Sequence, residues 1–117
     1  MDAQPIGSNF KNNARGNLTL VTPAQNTTGM VLRTASLHIA AGFMILSTGT
    51  KAPSGYSDTS VPVVMACRGI TGGSGFPGLS EVLPFPVIIP AGQGLWVASD
   101  SSDQGYAYIT WDPLPAA

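Results

Sequence analysis

Between residues 18 and 111 the apolar positions fall into short runs rich in Val, Ile, Thr and aromatic residues, separated by clusters of Gly, Pro, Asn and Ser. Runs of this length divided by turn-forming residues point to an all-β sandwich or barrel. The pattern predicts strands near 18–22, 29–40, 42–48, 62–68, 86–90, 94–99 and 105–111, which makes an antiparallel β-sandwich of about seven to eight strands. No window supports a long helix. The alanines of the segment from Thr34 to Ala41 leave a short helix open there, although it lacks an N-cap and a helical period of useful length. Long loops are expected over 49–60 and 69–80, and the five glycines of GITGGSGFPGLS make the second the most mobile segment expected.

The phase of each run says what its faces meet. From Tyr106 to Trp111 the odd positions Ala107, Ile109 and Trp111 alternate with Tyr106, Tyr108 and Thr110, so one face is core and the other semi-polar. The runs at 43–46 and 63–67 do not alternate; both faces are apolar, as in strands covered on both sides. The second cover is either another subunit or a long loop of the same chain.

The most apolar stretch, LPFPVIIPAGQGLWVAS at 83–99, is interrupted by Pro84, Pro86 and Pro90. Proline donates no hydrogen bond to a ladder, so the stretch must be divided. Pro84 and Pro86 hold Leu83 and Phe85 extended ahead of a strand at Val87. Pro90 suits the corner of a turn and Gly92 and Gly94 supply positive φ, which predicts a hairpin whose loop is Pro90-Ala91-Gly92-Gln93-Gly94.

Composition narrows the function classes. A chain of 117 residues makes one domain, with residues 17–117 as the sandwich. Only 9% of residues are charged and the net charge is −1, so there is no nucleic-acid footprint and little charge to keep copies apart. A sizeable part of the surface is therefore expected to meet other subunits. The polar segment 1–16 is expected to be an N-terminal arm tying the domain to a neighbour. Its only large apolar side chains after Met1, Ile6 and Phe10, are the expected anchors, and Lys11 and Arg15 would add contacts to an acidic partner. The single Cys67, in an apolar run, is expected to be a buried structural thiol. The N-terminus lacks a signal-peptide pattern and no apolar stretch reaches 18 residues, so the expectation is synthesis in a cytoplasm and no membrane partner. Asn17-Leu18-Thr19 and Asn26-Thr27-Thr28 match the glycosylation pattern, but little follows without a secretory signal.

Catalytic chemistry has few residues to draw on: one His, one Cys and six acids. His38 lies in a strand-like context without a nucleophile elbow, and a hydrogen-bonded structural or interfacial role is expected. No zinc site or cofactor is expected from two soft ligands. The segment from Asp100 to Gly105, with Asp103, lacks the EF-hand spacing and is expected to be a turn. The glycines of 69–78 lack the Lys-Ser/Thr ending of a phosphate loop. Tyr56, Trp96, Tyr106 and Tyr108 are the candidates for a glycan platform, but with so few aromatics their use in the core or a subunit interface is the favoured expectation. The residue census favours a protein that is not an enzyme.

Val21-Thr22-Pro23-Ala24, Gly29-Met30-Val31-Leu32-Arg33-Thr34-Ala35 and the segment from Leu83 to Trp96 resemble small structural proteins of tailed bacteriophages. That resemblance implies a jelly-roll-like sandwich, commonly a homotrimer. It also implies a place in the virion, as a capsid decoration (cement) protein on the major capsid protein or as a tail-appendage head that binds host glycan.

Overall fold

The computed structural model describes residues 3, 5–40, 42–69, 79–100 and 105–116, and none of them is helical. They form nine strands: β1 (Asn9–Ala14), β2 (Leu18–Val21), β3 (Met30–Ile39), β4 (Phe43–Gly49), β5 (Val63–Arg68), β6 (Leu79–Val82), β7 (Val87–Ile89), β8 (Gly94–Ser99) and β9 (Gly105–Pro113). Sheet A has the order β1-β9-β3-β6, with β7 also paired to β3, and sheet B the order β2-β8-β4-β5. Every pairing is antiparallel.

β6 and β7 lie on the same side of β3, so they are two halves of one interrupted edge strand. The first strand then pairs with the last, the second with the second-last, the third with the interrupted edge, and β4 with β5. These pairs alternate between the sheets, which is the winding of a jelly roll. The core lies between the sheets: Leu32, Ala35, Leu37, Ile39, Ala107 and Ile109 from sheet A face Val21, Met44, Leu46, Cys67, Leu95 and Val97 from sheet B.

The prolines find their places in this winding. Pro84 and Pro86 sit in the break between β6 and β7, where the ladder is already interrupted and the nearest backbone bond runs from the Leu83 N–H to the Ala35 carbonyl. The hairpin expected over 90–94 is corrected: β7 belongs to sheet A and β8 to sheet B, so the turn carries the chain across the sandwich. Its turn chemistry is as expected at Gly92, whose φ is +85°. Gly94 does not have positive φ; it is glycine because a Cβ there would come within 2.6 Å of the Trp96 ring and 2.7 Å of the Val21 carbonyl. Asn26, buried in the β2–β3 connection, fastens the crossing. Its Nδ2 donates to the Pro90 and Gln93 carbonyls at 2.8 and 2.9 Å, and its own carbonyl accepts from the Gly92 N–H at 2.8 Å. That engagement removes Asn26 as a glycosylation acceptor.

Two further expectations change. Residues 9–14, expected within an arm, are strand β1 and form an edge of sheet A on β9; an Asn13 φ of 57° marks the bulge in its register. Of the two runs expected to be covered on both faces, only that of β4 is: Ile45 is buried, while β5 is an edge strand with Val63 and Ala66 exposed. The cover over β4 and β8 is the chain's own 50–62 connection, which lies across the outer face of sheet B with Val61 buried beneath it and Tyr56 near Phe43, ring centroids 6.1 Å apart. Asp58 staples that connection, accepting from the Ser54 and Ser60 N–H groups and the Ser60 hydroxyl at 2.6–2.9 Å. The Ser60 hydroxyl first, then the Ser54 and Ser60 amides, hold its carboxyl well below the usual range.

Candidate functional site

With β4 and β8 of sheet B covered by the 50–62 connection, the outer face of sheet A is the broader open surface, and its register gives its composition. Residues directly paired across strands share a face. Four rows therefore point outward: Ile88–Val31–Asp112, Thr34–Thr110–Phe10, Val82–Ser36–Tyr108 and Ser80–His38–Tyr106. Between hydroxyl-bearing Thr34, Ser36, Ser80 and Thr110 stand large apolar side chains in water: Phe10 at 64% exposure, Val82 at 68%, Ile88 at 66% and Tyr108 at 44%. Phe85, in the break between β6 and β7, is exposed to the same degree. Between Tyr108 and Val82 the face dips into a groove of 220 Å³ floored by small residues, among them Ala35 and Ser36.

Charge on this face is sparse, and its one acid is paired. The bulge between Leu32 and Thr34 gives β3 one extra residue, and it is Arg33, whose Nε lies 3.2 Å from Asp112 Oδ2. The other Asp112 oxygen accepts from the Ser8 hydroxyl and N–H at 2.5 and 2.8 Å. The Ser8 hydroxyl, the Ser8 amide and then Arg33 lower the Asp112 pKa. These bonds, with that from the Gly7 N–H to Thr110 Oγ1, lay residues 7 and 8 along β9 and leave Ile6 exposed.

The aromatic candidates separate. Trp96 is 5% exposed and packed under the 50–62 connection, so of its readings it takes burial and is not a surface platform. Tyr106 and Tyr108 are neighbours on sheet A with ring centroids 5.7 Å apart, Arg15 lies over the Tyr106 ring, and His38 is stacked beside Tyr106 at 4.9 Å. Tyr56 is on the opposite side of the molecule, over sheet B. Of the expected arm anchors, Phe10 joins the outer face of sheet A and Lys11 lies one residue further along the same edge strand.

His38 Nδ1 and Ser80 Oγ are 2.7 Å apart, a hydrogen-bonded histidine on an open strand face. Among the described residues no group of three His, Cys, Asp or Glu side chains could hold a metal ion. The carboxylates of the 100–105 segment and the glycines of 70–78 lie largely outside the described residues. Cys67 is buried, its thiol 3.2 Å from the Leu79 carbonyl, and burial followed by the nearby Glu81 charge pushes its pKa up. Its burial is as expected.

Sequence reasoning missed Val82, Phe85 and Ile88 as surface residues, because all three lie in apolar text that reads as core. The usable signal was the prolines, which restrict this stretch to an edge. No protein-family model, curated protein sequence or solved structure matches the chain.

Proposed function

We propose that this chain is a non-enzymatic building block of a virion, a decoration (cement) protein that binds the outside of an assembled shell and stabilises it. It is made in the host cytoplasm, associates with copies of itself as a trimer, and docks on other virion proteins such as the major capsid protein. A jelly roll alone supports many functions, capsid and lectin domains among them. The observation that carries the reading is the outer face of sheet A, where Phe10, Tyr108, Val82 and Ile88 stand exposed among hydroxyl groups with little net charge. Large apolar side chains gathered in water on one sheet face support a protein contact as the use of that face. The resemblance to phage structural proteins supplies the class of partner.

The test is co-sedimentation. Shells purified without this chain are mixed with the recombinant protein and pelleted, and their thermal rupture is measured. The expected result is saturable pelleting of the chain and a higher rupture temperature, both lost when Val82 and Ile88 are replaced by Ser. Absence of binding by the intact chain contradicts the proposal.

A further inference from the structure

The sandwich is open along the edge formed by β1 and β2, and there a cavity of 360 Å³ reaches between the sheets. Val21 and Met30, both buried core residues, line it at depth. One wall is half-buried Trp111, which the strand pattern assigned to the core, and its cross-strand partner Asn9 stands beside it. Gln25 and Asn26 of the β2–β3 connection complete the polar lining, and no residue lining the cavity is charged.

The amides here have unused capacity. The Asn9 side chain makes no hydrogen bond among the described residues. Gln25 accepts through Oε1 from the Thr22 N–H at 2.9 Å and leaves its Nε2 donors unused. Asn26 spends both Nδ2 protons on the Pro90 and Gln93 carbonyls, which fixes its orientation and leaves Oδ1 without a donor, in a residue only 5% exposed. Unused donors and acceptors thus line the same cavity as the Trp111 side chain.

We propose that this cavity is a binding site for a neutral sugar ring, stacked on Trp111 and hydrogen-bonded through Asn9, Gln25 and Asn26 Oδ1. The size lies within the range of small-molecule sites, about 300–1,000 Å³. The lining argues the class by exclusion. A phosphorylated or carboxylated ligand would meet no cation, and a purely apolar one would cover the amides without pairing them. A pyranose offers an apolar face to the indole and hydroxyl groups that both donate and accept. The site lies between the sheets and is separate from the outer face of sheet A, so it does not depend on the assembly reading.

The test uses the full chain labelled with ¹⁵N and titrated with the methyl glycosides of glucose, galactose and mannose and with N-acetylglucosamine, up to 50 mM. Binding by one of them is expected to give saturable shifts at the Trp111 indole N–H and the Asn9 and Gln25 side-chain amides, with the Trp96 indole unmoved. Trp111→Ala should abolish the shifts. Asn9→Ala, at an exposed edge position that the fold tolerates, should weaken binding at least tenfold and keeps the test decisive if the tryptophan variant fails to fold. Absence of shifts with all four sugars overturns the proposal. So do shifts that survive Asn9→Ala at full strength, or shifts at these same groups produced only by adenosine or by a capped Gly-Pro-Gly peptide added in parallel.

Discussion

Replacing Asn26 by Ala tests the crossing that makes the winding possible. The two side-chain bonds it removes, at 2.8 and 2.9 Å, join the β2–β3 connection to the turn where the chain leaves sheet A for sheet B. The backbone bond from Gly92 N–H to the residue 26 carbonyl survives the change. Each lost bond is worth about 1 kcal/mol, and because Pro90 is exposed and Gln93 half-buried, water partly re-satisfies their carbonyls. The expected loss is about 2 kcal/mol. With an unfolding entropy of about 0.25 kcal/mol/K for a domain of this length, Tm should fall by about 8 °C in a calorimetric or circular-dichroism melt. Asn26→Asp should lower it further, since a carboxylate oxygen would replace the donor opposite two carbonyl oxygens. A shift under about 2 °C for Asn26→Ala, or an Asp variant as stable as the native chain, would refute the claim that this amide fastens the crossing.

Three other outcomes follow from named residues. Gly92→Val should lower stability by about 1–2 kcal/mol in the same melt, purely from the φ of +85°, because a Cβ there meets no atom within 4 Å; an unchanged Tm contradicts it. Asp58 has a folded-state pKa below its unfolded value, so its contribution is complete above the ordinary carboxylate range and is lost as pH falls through the lower, folded value. Asp58→Asn should therefore lower Tm most between about pH 6 and 8, where the carboxylate's contribution is complete, and flatten the acid limb below about pH 4 so that the two proteins converge at low pH; an identical acid limb in both proteins counts against the staple. Replacing Val82 and Phe10 by Ser should shift sedimentation from trimer toward monomer without lowering Tm by more than about 1 °C, since both side chains are already in water; a wild-type chain that is monomeric at micromolar concentration removes the self-association argument.

What the sequence made legible depended on whether a strand is buried. Seven strands were readable because each places apolar side chains in the core or under the 50–62 connection. β1, with the text NFKNNA, and β6, with LSEV, were not, because edge strands exposed along nearly their whole length carry no period-two apolar signal. The turn at 90–94 shows a different limit. Pro90 and Gly92 report a reversal, but local turn chemistry does not say whether the next strand pairs with the last one or crosses to the other sheet. Trp96 was ambiguous for a related reason: its burial comes from residues 50–62, more than thirty positions away in sequence, and no local pattern contains that contact. The candidate surface was the least legible feature, because its apolar side chains reach water only through the register that brings Val82, Ser36 and Tyr108 into one row.

The central claim, that this is a shell-bound virion protein docked through sheet A, is met most directly by a density map of the intact particle at side-chain resolution. Docking through sheet A should show nine-stranded jelly rolls on the outer surface, related by threefold symmetry, with Phe10, Tyr108, Val82 and Ile88 buried against a neighbouring subunit or the shell. A map in which this chain is absent from the particle, or present with the outer face of sheet A turned to solvent, would contradict it.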